Sequence, residues 1–125
     1  MFAKDPDKME SFLGSNSNFK GDLNVKGTLR VDGRAEGRLD AECVILSESA
    51  GVKGDIQGRR IIIGGAVEGN LRAQELVEIK PKGKVLGDIF CPKLVVMEGA
   101  EVIGRIETKK EEGKIIGMEF KSQAS

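Results

Sequence analysis

Two cysteines, Cys43 and Cys91, are the only thiol side chains in this sequence that could act as nucleophiles or soft metal ligands. The sequence contains no histidine, so a Ser–His or Cys–His nucleophilic system cannot be assembled from it. Neither cysteine belongs to a CxxC pair, which argues against a thiolate zinc site. We therefore expect no catalytic residue, no metal site and no cofactor, and we interpret both cysteines as small buried side chains.

Other patterns that resemble ligand sites are equally weak. Asp22, Asp55 and Asp88 recur at similar spacing, but basic or amide residues at the equivalent positions of the other repeats interrupt any calcium-like cluster. The pair Gly64-Gly65 lacks the following residues of a phosphate-binding GxxxxGK[ST] loop. Lys plus Arg and Asp plus Glu number 20 each, so the chain lacks the basic field that nucleic-acid binding needs.

Length and composition favour one cytoplasmic domain with an aliphatic core. The chain has 125 residues, of which 39% are hydrophobic, and its five phenylalanines are its only aromatic residues. Two cysteines are too few for a disulfide framework, and neither a signal-peptide core nor a membrane span is recognisable. We expect reduced thiols in the cytoplasm.

A repeat decides the predicted fold. The pattern is an apolar residue, any residue, glycine, a polar residue and then leucine or isoleucine, and it starts at residues 19, 35, 52, 67, 85 and 102. Each interval between these motifs also contains an alternating apolar pair, which is the period of a β-strand. The pairs are Leu29/Val31, Val44/Leu46, Ile61/Ile63, Val77/Ile79 and Leu94/Val96. A repeat of this size cannot bury its apolar face alone, so we predict an all-β parallel β-helix (solenoid) of about six coils.

The third position of the motif is glycine in every repeat, which predicts a structural corner that needs positive φ or close backbone approach. These glycines are Gly21, Gly37, Gly54, Gly69, Gly87 and Gly104. The second and fourth positions should form outward columns, since residues of successive coils lie above one another. The second position reads Lys20, Glu36, Lys53, Glu68, Leu86 and Ile103, and the fourth reads Asp22, Arg38, Asp55, Asn70, Asp88 and Arg105. Alternating charge avoids a column of like charges.

Self-assembly is the function that the predicted fold favours. A β-helix has open backbone edges and exposed core side chains at its end coils, and no convincing cap is evident here. The predicted polymerisation faces are Phe19, Leu23, Leu29 and Val31 in the first coil, and Phe90, Leu94, Val96, Val102 and Ile106 in the last. Arg105 could meet Asp22 of a neighbour in a head-to-tail stack, but the sequence does not fix the polarity of the filament.

Two other functions are compatible with a β-helix. A left-handed hexapeptide-repeat acyltransferase would need a strict six-residue period and normally a catalytic histidine, whereas these repeats are 15 to 18 residues long. The main alternative is a non-polymerising β-helix adaptor that presents a charged face to a protein partner. Electron microscopy of the purified protein would separate an adaptor from a polymer.

The segments outside the repeat differ from it in kind. We expect residues 1–18 to form a flexible N-terminal tail, within which residues 5–14 could form a short helix, residues 19–106 to form the polymerisation domain, and residues 107–125 to form a charged, disordered tail. Ile115, Ile116, Met118 and Phe120 leave a brief docking strand as an alternative. Met1, Phe2 and Lys4 could enter a membrane interface, although Asp5, Asp7 and Glu10 oppose it.

Residues 19–39 closely resemble the opening coils of bactofilins, a family of polymer-forming bacterial cytoskeletal proteins. The specific elements are the run from Gly27 to Gly33, with the sequence GTLRVDG, and Glu36-Gly37; the start Met1-Phe2-Ala3-Lys4 resembles the family's membrane-targeting motif. The resemblance extends through the repeat to residue 106.

This resemblance implies a right-handed β-helix and filaments that form without nucleotide, often without polarity. It also implies association with the inner face of the cytoplasmic membrane, and a scaffold role for cell shape or for cell-wall, appendage or chromosome-positioning proteins. The cellular process and the partner are not encoded in the coil residues.

Overall fold

A computed structural model defines the fold. It describes residues 11–108 in full and the backbone alone of residues 9–10 and 114–117. The described residues contain twelve strands and no helix, so none of them forms a helix long and apolar enough to cross a membrane. The strands are β1 Met9–Leu13, β2 Asn18–Val31, β3 Arg34–Leu46, β4 Gly51–Ile63, β5 Ala66–Glu68, β6 Leu71–Ile79, β7 Lys84–Leu86, β8 Ile89–Phe90, β9 Lys93–Val96, β10 Glu101–Ile103, β11 Ile106–Glu107 and β12 Lys114–Gly117.

Every strand pair is parallel, and each residue pairs with its counterpart one repeat later. Phe19 pairs with Ala35, Ala35 with Val52 and Val52 with Val67, which is the register that the motif predicts. The chain therefore forms a β-solenoid of about six turns, and the prediction of a parallel β-helix is confirmed. Neighbouring coils lie about 4.8 Å apart, which gives a rod roughly 25–30 Å long.

Each coil has three faces, which we call A, B and C. In the first coil, residues 18–20 form face A, residues 22–25 face B and residues 28–31 face C, and later coils add their strands in the same register. Face A ends with β10, face B with β11 and face C with β12. Face C also contains β1, which precedes the first coil and pairs with residues 28–31.

The core is a set of aliphatic columns inside the rod. The side chains of Leu39, Ile56, Leu71 and Ile89 stack on the inner side of face B, and none is more than 1% exposed. Each buried side chain lies between the equivalent side chains of the coils before and after it. Burial of such aliphatic area, at about 25 cal/mol per Å², is the main favourable contribution to folding.

The six motif glycines lie above one another at the corner between faces A and B, with φ between 130° and 148°. A Cβ at Gly54 would lie 1.9 Å from the carbonyl oxygen of Gly37, and a Cβ at Gly69 would lie 1.8 Å from that of Gly54. Such contacts are far shorter than any that real Cβ atoms make. Backbone conformation and coil spacing thus both require glycine here.

The strands extend beyond residues 19–106 at both ends. Residues 9–13 form strand β1 rather than part of a flexible tail or a short helix, because they pair in parallel with residues 28–31 and Leu13 packs against the core. The turn after β1 bonds to the first coil: the Asp32 amide donates to Leu13 O at 2.7 Å and the Arg34 amide to Ser17 O at 3.0 Å. The alternative of a brief docking strand near Ile115 corresponds to β12. Residues 1–8, 109–113 and 118–125 lie outside the described residues.

Candidate assembly interface

The two cysteines lie on different faces of the rod. Cys43, on face C, and Cys91, which follows β8 on face B, are both buried and do not form a disulfide. Burial raises the pKa of the Cys91 thiol from 9.0 to about 11, and bonds from the backbone amides of Lys93 and Val77 oppose part of that rise. Within the described part of the chain, no group of three His, Cys, Asp or Glu side chains could hold a metal ion.

The outward columns of the motif carry cross-coil ion pairs on face A. Lys20 Nζ lies 3.6 Å from Glu36 Oε1, and Lys53 Nζ lies 4.0 Å from Glu68 Oε1. All four side chains are at least half exposed, so these pairs contribute little to stability. The same column then ends in apolar residues, since Leu86 and Ile103 are 45% and 41% exposed.

The side chain at the fourth motif position accepts a hydrogen bond from a backbone amide of the next coil. The amide of Asn70 donates to Asp55 Oδ1 at 3.4 Å, and the amide of Asp88 donates to Asn70 Oδ1 at 3.3 Å. The amide of Arg105 continues the series by donating to Asp88 Oδ1 at 3.3 Å, and its guanidinium reaches Asp88 Oδ2 at 3.4 Å. The bonds are long and exposed, and they give each of these corner amides a side-chain partner in the preceding coil.

A third charged column lies at the corner between faces B and C. Arg59 Nη2 donates to Glu75 Oε2 at 2.8 Å, and Arg59 Nη1 lies 3.9 Å from Glu42 Oε1. The hydrogen bond to Glu75, followed by the charges of Glu75 and Glu42, raises the pKa of the Arg59 guanidinium, while partial desolvation opposes it. Sequence reasoning missed this column because it lies outside the motif. Its signal is the spacing of 17 and 16 residues, which is the repeat length.

A shallow groove of about 510 Å³ follows the outer surface of face A. Its charged side chains pair largely with one another, and Lys84 Nζ lies 3.9 Å from Glu101 Oε1 in addition to the two pairs above. The floor is formed by small residues such as Gly51 and Ala66. Its lining contains no cysteine, serine or threonine, and the carboxylates of Glu36, Glu68 and Glu101 are paired with lysines.

The N-terminal end of the rod leaves core side chains partly open. Phe19 and Leu23 are half-buried and pack against the core from faces A and B. Leu29 and Val31, which the sequence also assigned to this end face, are fully buried beneath β1. Residues 18–25 pair with β3 on one side and with no described strand on the other, so the edge of faces A and B is open.

At the C-terminal end, too, some of the predicted end-face residues are half-buried and others are fully buried. Ile106 is half-buried on face B, whereas Val102 is buried. Leu94 and Val96 are also buried, because they pair with residues 115 and 117 of β12 and are therefore not in the last strand of face C. Among the residues assigned to the C-terminal end face, Phe90 lies on the outer surface, where the Arg72 guanidinium carbon is 4.9 Å from its ring centre.

The inner aliphatic column of face B therefore ends in a half-buried residue at both ends of the rod, Leu23 and Ile106. The strand edges there are unpaired within the described residues. A family model described as polymer-forming cytoskeletal, named Bactofilin, matches residues 11–107. The chain belongs to the bactofilin family. The description of this family is polymer-forming and cytoskeletal.

Two curated relatives of this bactofilin come from Myxococcus xanthus (strain DK1622). Bactofilin BacP is 33% identical over 96 residues, which are 76% of this chain and 40% of BacP. Bactofilin BacO is 29% identical over 101 residues, which are 80% of both chains. The chain thus spans less than half of BacP and most of BacO. No solved structure matches it.

Proposed function

We propose that this bactofilin assembles by end-to-end stacking of its β-helix into filaments that need no nucleotide. The filaments serve as a scaffold on the inner face of the cytoplasmic membrane, where they organise cell shape, cell-wall or positioning proteins. No nucleic acid and no cofactor takes part.

The observation that carries this proposal is the inner column of face B. Leu39, Ile56, Leu71 and Ile89 are sealed by the coils on either side, whereas Leu23 and Ile106 at its two ends are only half-buried. A second rod placed on either end would continue the column and pair the open strand edge. Its apolar burial is worth about 25 cal/mol per Å², and the pairing satisfies backbone groups that otherwise depend on water.

A charge at either end tests this stacking. Leu23→Arg and Ile106→Arg should remain folded, because an arginine in an end coil can turn toward solvent, but each should block the end that carries it. Burial of an unpaired charge in the contact would cost several kcal/mol. Leu71→Arg is the matched control in the same column, and it should unfold the domain.

Circular dichroism measures whether these variants fold, and mass photometry measures how many chains associate. Loss of filaments from folded Leu23→Arg and Ile106→Arg is the expected result. Monomers alone would indicate head-to-tail stacking, and dimers would indicate contacts between like ends. Normal filaments from both folded variants would rule out end stacking, and a parent protein that stays monomeric would favour the adaptor.

Membrane association is the second part of the proposal, and it rests on Met1, Phe2 and Lys4, which lie outside the described residues. One phenylalanine and a few cations bind a membrane weakly, so binding should depend on many tails per filament. Deletion of residues 1–8, or Phe2→Glu, should release the filaments from anionic liposomes without preventing assembly. Unchanged co-sedimentation of the truncated protein with liposomes would contradict this role.

A further inference from the structure

β1 is the face C strand of a coil that precedes the first motif. In the later coils, each face C strand follows strands of faces A and B, whereas β1 has only residues 1–8 before it. Leu13 of β1 pairs with Val31, the last inner residue of face C in the first coil. The winding of the other coils would therefore place residues 1–8 along the open edge of residues 18–25.

The number of residues ahead of Leu13 fits such a path. In the regular coils, the first motif residue precedes the last inner residue of face C by eleven or twelve residues. These pairs are Phe19/Val31, Ala35/Leu46, Val52/Ile63, Val67/Ile79 and Val85/Val96. Phe2 precedes Leu13 by eleven residues, and the register shift between Met9 and Ser11 places one of them within β1 and leaves one fewer for the corner before it. Phe2 thus falls at the motif position of Phe19.

Asp5 then falls at the fourth motif position, which makes a repeated contact in the later coils. The side chains of Asp55, Asn70 and Asp88 each accept a hydrogen bond, of 3.3–3.4 Å, from the backbone amide at the same position one coil later. Asp22 holds this position in the first coil, and no described strand pairs with it on the N-terminal side. The carboxylate of Asp5 would give the Asp22 amide the kind of partner that these later amides have.

The corner at Gly21 has room for the backbone of this segment. A Cβ at Gly37, one coil later, would lie 2.0 Å from the carbonyl oxygen of Gly21, so the backbone fills that space inside the rod. At Gly21, the only described atom within 4 Å of the Cβ position is Cζ of Phe19, at 3.7 Å. Phe19 is itself only half-buried. Phe2 above Phe19, with a peptide group beside Gly21, would complete the cover that the inner coils have.

Three departures from the motif suit a coil that ends the rod. Lys4 stands where all six motifs have glycine, so its Cβ would exclude the backbone of a further coil from this corner. Pro6 stands where the motifs have leucine or isoleucine, and it has no amide to donate to a further strand. Lys8 stands where the first coil has buried Val25, and its ammonium group needs solvent. The segment can therefore follow the first coil, but a second copy cannot continue beyond it.

We propose that residues 2–8 form an irregular coil, the cap, which rests on residues 18–25 of its own chain and closes the N-terminal end of the rod to a second copy. Only the closing role rests on the proposed end stacking. Lysine at the glycine corner and the missing amide of Pro6 make the cap less stable than a regular coil, so it can open. Phe2 is also the residue proposed to enter a membrane, so a chain bound through Phe2 has an open N-terminal end.

Hydrogen exchange below the assembly concentration tests whether the cap forms. The Asp22 amide should exchange at least about tenfold more slowly in the parent than in a chain that begins at Met9. Asp5→Ala should remove most of this protection, and Asp7→Ala is the matched control, because it removes the same charge from the position of exposed Asn24. Equal exchange of Asp22 in the parent and the truncated chain would overturn the cap. If the truncated chain does not fold by circular dichroism, equal exchange in Asp5→Ala and Asp7→Ala would overturn it instead.

The critical concentration for assembly, measured by light scattering without liposomes, tests the closing role. Deletion of residues 1–8 should lower it by about tenfold, because a neighbour no longer displaces the cap and 1.4 kcal/mol is a factor of ten. Asp5→Ala should act in the same direction, and Asp7→Ala should not. An unchanged or higher critical concentration of the truncated chain would overturn the closing role and leave end stacking intact. If parent and truncated chain both fail to assemble while Asp22 is protected in the parent, end stacking fails and the cap itself stands.

Discussion

The central coils and the two end coils are built from one repeat, but they differ in what their side chains and backbone meet. In the centre, Leu71 and Gly69 are enclosed by the coils before and after them. At the N-terminal end, Leu23 is half-buried, and no backbone of another described coil lies against Gly21. The same residue type therefore stabilises the fold in the centre and is available for assembly at the ends.

The largest loss of stability is expected from substitution of a central corner glycine. Gly54→Val places a branched side chain on the carbonyl oxygen of Gly37 and forces a positive φ on valine. We expect it to lower the free energy of unfolding by about 3 kcal/mol or more, from left-handed strain and overpacking together. Gly69→Val should behave alike.

Gly51→Val is the matched control, since it lies in the same coil three residues earlier with open space at its Cβ position. Urea unfolding below the assembly concentration measures all three variants. Equal unfolding midpoints for Gly54→Val and Gly51→Val would mean that the corner does not depend on glycine.

A loss of stability of intermediate size should appear at high pH because of Cys91. Its pKa of about 11 in the folded protein exceeds the ordinary 9.0, so the folded state keeps a proton that the unfolded state loses. The stabilisation is complete below pH 9 and should decline by at most roughly 2–3 kcal/mol as the pH rises to 11. Unfolding of Cys91→Ala should lack this part of the pH dependence. Identical slopes for parent and variant between pH 9 and 11 would contradict the assignment.

The smallest effect is expected at the exposed corner column of Arg59. Arg59→Gln removes contacts with Glu75 and Glu42 that lie in solvent, so the melting temperature should fall only slightly at low salt. The difference should vanish near 1 M salt, where screening acts over about 3 Å. Arg34→Gln is the control, because exposed Arg34 makes no ion pair with a described residue. A large, salt-independent loss at Arg59 would show that the column has a structural role beyond its charges.

The repeat made the centre of the rod predictable from sequence. One period relates Val52 to Val67 and Gly54 to Gly69, so a single aligned motif assigns face, register and burial to all the coils between. Charge alternation gave the pairs Lys20–Glu36 and Lys53–Glu68 for the same reason. Arg59 was missed because only the motif columns were aligned.

The ends were less predictable, because a terminal strand has no second copy of itself to align with. β1 has Ser11 in register with Leu29, so its apolar alternation is broken at a position that faces a core residue. With β1 and β12 unrecognised, Leu29, Val31, Leu94 and Val96 were assigned to the end faces. In the structure, β1 and β12 cover all four. Of the predicted end-face residues that pack against the core, Phe19, Leu23 and Ile106 are only partly buried.

The most direct test of end-to-end assembly is fibre diffraction from aligned filaments. If rods stack through their ends, the strands run across the filament axis and the coil spacing of about 4.8 Å repeats along it. The account predicts a strong meridional reflection at that spacing. A reflection at the same spacing on the equator would mean that the rods lie across the filament, and would contradict end stacking.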